Sequence, residues 1–129
     1  MIDDANPHDG RLWSAEYMPN LNEHIVDRGI RFIDFHGEVP LCGPSRASLL
    51  TGQHAHNSGG NSNNGEQLDV STTVATELSE AGYHTAYAGK YLNGYKKFSP
   101  DKYDPPGWSE FDVIYSNQGK YFCYQIRDR

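Results

Sequence analysis

"LCGPSRASLLTG", residues 41–52, sets a cysteine, a proline, a serine and an arginine directly ahead of a short apolar run that ends in glycine. Pro44 suits the first turn of a helix, where its missing N–H would have had no partner, and Gly52 suits the stop. The spacing predicts a helix through residues 45–51 with Cys42 at its N-terminus, among backbone N–H groups that lack intrahelical partners. Such an end attracts anions. Arg46 follows Cys42 by four residues, the interval that brings side chains together on one helical face. Its guanidinium can hydrogen-bond an oxygen carried on residue 42 or on a bound oxyanion.

On the C-terminal side, residues 53–69 crowd Gly, Asn and Ser together without periodicity and are expected to form a long flexible loop. Val70, Val74, Leu78 and Ala81 then recur at helical spacing, with Ser71 to Thr73 as candidate N-caps and Gly82 as the stop. "YHTAYA", residues 83–88, reads as a strand that delivers Gly89 and Lys90 to its C-terminal end. The segment 94–129 is rich in aromatics and carries a Pro105-Pro106-Gly107 turn, but it has too little period to assign.

On the N-terminal side, "IRFIDFH" (residues 30–36) is β-branched and aromatic without clean alternation, which suits a strand covered on both faces. "MPNLNEHIVDRG" (residues 18–29) predicts a short helix, with Pro19 at its first position, apolar Met18, Leu21 and Ile25 at helical spacing, and Gly29 at its end. Met1 and Ile2 read as the last residues of an apolar strand running into the carboxylates Asp3 and Asp4, as if the chain began inside a larger protein. Helices alternating with buried strands predict an α/β layer architecture, whose sites lie beyond the carboxyl ends of the strands. Asp3, Asp4 and Lys90 all fall at such ends.

The chain has 129 residues, 36% of them hydrophobic and 22% charged, as in ordinary globular domains. A net charge of −6 argues against binding nucleic acid or anionic membrane through bulk electrostatics, so an anionic substrate must be held locally. No apolar stretch is long enough for a membrane span, and "MIDDANPHDG" lacks the basic and apolar regions of a signal peptide. The two cysteines, Cys42 and Cys123, leave one disulfide possible and the redox compartment open.

Cys42-x-Pro44-Ser45-Arg46, followed by Leu50-Thr51-Gly52, resembles the signature of the formylglycine-dependent sulfatases. "GYHTAYAGKYLNGY" resembles the family's second signature, and "PPGW" at 105–108 is similar to the branch holding N-acetylglucosamine-6-sulfatases and the algal and fungal arylsulfatases. The resemblance runs from Asp3 to about Trp108. It implies the N-terminal part of an alkaline-phosphatase-like three-layer α/β/α sandwich. It also implies that Cys42 is oxidised to formylglycine by a formylglycine-generating enzyme, with Pro44 and Arg46 part of the modification signal and Arg46 a partner of the aldehyde hydrate.

In such a hydrate one hydroxyl attacks the sulfur of a sulfate ester and the other expels sulfate as the aldehyde reforms, a release step that a serine could not perform. The resemblance assigns calcium to Asp3, Asp4 and the modified Cys42, and gives Lys90 to sulfate binding and charge stabilisation. The implied substrate is an aryl sulfate or a sulfated sugar, and the implied location is the secretory pathway, extracellular or lysosomal.

Where many arylsulfatases carry a histidine after this lysine, the chain has Leu92, which leaves that proton-transfer role unfilled. The family's later Asp-Asn metal pair, histidine and second lysine have no counterpart here. The chain by itself is therefore expected to be inactive; the alternative to a sulfatase is a catalytically incomplete, sulfatase-derived fragment with at most an anion-binding or interaction role. Phosphonate or phosphodiester hydrolysis is a nearer enzymatic alternative. His54 and His56 follow the signature helix closely enough to reach a pocket rim, although loop histidines are more often solvated, and His84 reads as a packing residue.

Overall fold

The computed structural model describes residues 18–30, 32, 34–65, 68–95, 104–116, 122 and 124–127. The chain divides into two units, residues 1–36 and 37–129. In the first, Pro19 opens helix α1 (Pro19–Leu21), which widens into a π-helical turn over Asn22–Val26. The Asp27 N–H donates to the Asn22 carbonyl at 2.9 Å, a five-residue interval. The helix expected here is thus present but underwound to a larger radius. The expected strand over residues 30–36 is not formed at the described positions: Phe32 and Phe35 are exposed, and no ladder reaches them among the described residues. A strand covered on both faces needs such partners for its backbone N–H and C=O groups.

The second unit is built around helix α2, Cys42–Thr51. It starts earlier than Pro44 suggests, with extended Leu41 as N-cap, so Pro44 is the third helical residue and still lies among the positions whose N–H has no intrahelical partner. Gly52 ends it in the left-handed conformation, donating its N–H to the Ser48 carbonyl at 2.9 Å. The segment 53–69 contains an element where none was expected: helix α3, Ala55–Ser58. One helical turn is too short to show a period, and what organises it is a distant carboxylate, Glu38, which accepts the Ala55 N–H at 2.8 Å.

Helix α4, Val74–Glu80, carries a reciprocal cap: Thr73 Oγ1 accepts the Thr76 N–H and Thr76 Oγ1 accepts the Thr73 N–H. Helix α2 packs against α3 and α4. Among the described residues the sheet has three strands in the order β1 (Ala86–Gly89), β2 (Glu110–Ser116) and β3 (Gln125–Arg127). β1 and β2 run parallel, with Gly89 opposite Val113, and β2 and β3 run antiparallel. Both β2 and β3 lie in the aromatic-rich segment that sequence periodicity left unassigned. Phe111 and Val113 do face inward at period two, but the apolar Ile114 on the opposite phase blurs the alternation.

Ala47 and Leu50 from α2 meet Leu68, Tyr91, Leu92, Tyr95, Phe111 and Val113 in one core. Full burial of each Leu, Val or Phe contributes about 1.5–3 kcal/mol, so this cluster fixes α2 against the sheet. Burial pushes the Tyr91 phenol well above its ordinary pKa, which keeps it neutral within the core.

The turn at Pro105-Pro106-Gly107 sits directly on α4. A Cβ on Gly107 would lie 2.4 Å from the Thr76 nitrogen, and the residue's φ of +88° is one that side chains disfavour. Thr85 Oγ1 donates to the Gly107 carbonyl and the Ser109 N–H donates to the Thr85 carbonyl at 2.9 Å, so this turn sets the register of β2 on β1.

Candidate active site

Cys42 is the first residue of α2, half-buried and a free cysteine, so a bridge to Cys123 is not formed. Cys123 itself lies outside the described residues. The residue after Cys42 has no space for a side chain: a Cβ on Gly43 would come within 2.6 Å of the Ser62 carbonyl oxygen and 3.0 Å of the Asn63 Cα. The Gly43 N–H donates to Asn63 Oδ1 at 2.8 Å. One of the N-terminal amides of α2 is therefore taken by a side chain from the 60–65 loop. Sequence reading missed Asn63 because its partner is twenty residues away along the chain.

Arg46, one turn beyond Cys42, is 93% buried, and its Nη1 donates to the Lys90 carbonyl. The same carbonyl accepts the Tyr87 hydroxyl at 2.7 Å, and Arg46 Nη1 lies 3.4 Å from that hydroxyl oxygen. Two of the residues singled out in the sequence, Arg46 and Lys90, are thus joined across 44 positions of chain. Lys90 is half-buried and directly follows β1, as expected of a residue at a strand's carboxyl end. Leu92, two residues beyond Lys90, is 1% exposed and belongs to the core.

Glu38 gathers the far end of α2 and the start of α3. Its carboxylate accepts the Ser48 hydroxyl at 2.6 Å, the Ala55 N–H and, at 3.0 Å, the His54 ring. The Ser48 hydrogen bond foremost, joined by the Ala55 and His54 contacts and opposed by desolvation, holds its pKa below the ordinary glutamate range. His54 and His56 stack with ring centroids 5.6 Å apart. His84 is exposed and bonded to Glu110 at 2.9 Å, so it is not the packing residue its sequence context suggested. It precedes β1 and stands beside the first residue of β2, where its ring reaches solvent.

Asp3 and Asp4 lie outside the described residues. Among the described residues no group of three or more His, Cys, Asp or Glu could hold a metal ion.

The Sulfatase family profile matches residues 3–125. The chain belongs to the sulfatase family. It is 38% identical over 129 residues to the extracellular sulfatase SULF-1 homologue of Drosophila melanogaster, covering 95% of this chain and 11% of that protein. It is 35% identical over 116 residues to human N-acetylglucosamine-6-sulfatase, covering 79% of this chain and 20% of that protein. The solved structure of BT4656 in complex with its substrate D-glucosamine-2-N,6-O-disulfate aligns with a TM-score of 0.62 and 28% identity, covering 86% of this chain and 23% of that one. This sulfatase chain therefore spans about a quarter or less of the length of these relatives. The alkaline-phosphatase-like α/β class expected from its motifs is borne out by that structural match and by its mixed α/β layering.

Proposed function

We propose that this sulfatase-family chain supplies the nucleophile and part of the sulfate pocket of a sulfuric ester hydrolase. The observation that carries the reading is the hydrogen bond between Arg46 and the Lys90 carbonyl, which ties the helix bearing Cys42 to the strand end bearing the lysine. A sulfated sugar is favoured over an aryl sulfate as substrate, since BT4656 was solved with a glucosamine disulfate and another relative is named for N-acetylglucosamine 6-sulfate.

The donor chemistry suits the groups that family membership implies. Cys42 is a free, half-buried thiol at the start of a helix, and Asp3 with Asp4 offers the hard oxygens that calcium prefers. Conversion of Cys42 to formylglycine by a formylglycine-generating enzyme would supply a hydrated aldehyde as nucleophile, with calcium held by Asp3, Asp4 and residue 42 to offset charge on the sulfate oxygens. Lys90 places its ammonium on the ester oxygens, as a point cation that gains strength as negative charge builds during S–O cleavage. Arg46 holds the backbone of residue 90, and its guanidinium charge lies one turn from residue 42. Asn63 and Gly43 fix the first turn of α2, so that residue 42 is presented in one orientation. Relatives named as extracellular sulfatases support placement in the secretory pathway, extracellular or lysosomal.

The test is turnover of glucosamine 6-sulfate and of an aryl sulfate by the family-length protein containing these residues, co-expressed with a formylglycine-generating enzyme. Peptide mass spectrometry should find the aldehyde at residue 42, and Cys42→Ala should abolish turnover. Hydrolysis of phosphate esters with no activity on sulfate esters would refute the reading.

A further inference from the structure

Lys90 lies just past the last paired residue of β1, where Gly89 is opposite Val113, and Gly89 has a φ of +106°. The sheet therefore does not dictate the direction of the backbone at residue 90. Its carbonyl is fixed instead by the Tyr87 hydroxyl at 2.7 Å and by Arg46 Nη1.

The hydroxyl is itself held in place. The Tyr87 ring makes edge contacts with Tyr91 and Trp108, at centroid separations of 5.3 and 5.2 Å, and a tilted contact with Phe111 at 5.8 Å. Tyr91 and Phe111 are each 1% exposed. Aromatic neighbours packed this way leave the phenol little rotational freedom, so its O–H is pre-aimed at the Lys90 carbonyl before any ligand arrives.

We infer that Tyr87 is a positioning residue for Lys90: its hydroxyl, aimed by the aromatic cluster, fixes the backbone from which the lysine reaches the sulfate ester. This rests on the sulfatase reading above. Tyr87 touches no reacting atom in this account and acts only through residue 90. A cation that must meet developing charge loses much of its effect when its base shifts by a fraction of an ångström.

Tyr87→Phe keeps the ring and its packing and removes only the hydroxyl. In the family-length protein, the expected result is a roughly tenfold loss in kcat/KM on a sulfate ester, with weaker competitive inhibition by inorganic sulfate. In a Lys90→Ala background, Tyr87→Phe should cause no further loss, because the residue through which it acts is gone. A merely structural tyrosine would lower activity equally in both backgrounds. Tyr87→His, which keeps an aromatic ring, provides a second variant if the phenylalanine protein does not accumulate, and the same pattern is expected of it. Wild-type turnover with undiminished Tyr87→Phe and Tyr87→His variants, or equal losses with and without Lys90, overturns this inference alone. Absence of sulfate-ester turnover in the wild type overturns the proposed function, and this inference with it.

Discussion

Replacing Gly107 by alanine should loosen the unit that presents Lys90, and the size of the effect follows from two separate costs. At φ +88° an L-residue is disfavoured by about 1–2 kcal/mol. The new Cβ would also lie 2.4 Å from the Thr76 nitrogen, 2.5 Å from the Ala75 carbonyl carbon and 2.7 Å from the Thr76 Cα. These are backbone atoms in the first turn of α4 and cannot rotate away, so relief requires the turn and the helix to separate, at about 1–3 kcal/mol. The Thr76 N–H is also the donor to the Thr73 cap, whose disruption adds about 1 kcal/mol.

The combined loss is about 3–6 kcal/mol, which corresponds to at least about a hundredfold faster amide exchange when exchange is limited by opening. Gly82 is the control, with a nearly equal φ of +87° and nothing within 4 Å of the added Cβ. Gly82→Ala should therefore show only the conformational cost, about tenfold in exchange. Hydrogen exchange read by mass spectrometry on peptides covering 74–81 and 104–116 distinguishes the two. Equal protection in both variants would refute the packing of the 105–107 turn against α4.

Three further outcomes are expected. Because the folded pKa of Glu38 is lowered, its contribution to stability is present above the unfolded carboxylate range and is lost as pH falls through the folded value. Melting temperatures across pH should show Glu38→Gln less stable than wild type at neutral pH, with the gap closing in acid. Arg46→Met removes a buried charged donor and leaves the Lys90 carbonyl with its tyrosine partner; urea unfolding should report a loss of about 1.5–3 kcal/mol, together with reduced turnover. Asp3→Asn or Asp4→Asn should lower calcium affinity and turnover together, whereas Lys90→Ala should lower turnover with calcium titrations unchanged. Unchanged calcium binding in both aspartate variants would remove that pair from the metal site.

What the sequence determined by itself is local. The helix through 45–51, its stop at Gly52, a cap among Ser71 to Thr73 and the strand running into Lys90 all follow from neighbours a few residues apart, since caps, stops and periodic faces are made within one or two turns of chain. The motif around Cys42 carried the family for the same reason: its fixed residues are contiguous. Tertiary structure alone decided which distant groups meet. Helix α3 exists inside a Gly- and Asn-rich stretch because Glu38 accepts the Ala55 N–H from 17 residues away. Strands β2 and β3 gain their identity by pairing, which a blurred alternation cannot announce. Gly43 is bound to Asn63, Gly107 is seated on α4, and Arg46 and Tyr87 share the Lys90 carbonyl. These contacts depend on closing long loops around a common core. Their free energy belongs to the assembled packing, so no short window of sequence contains it.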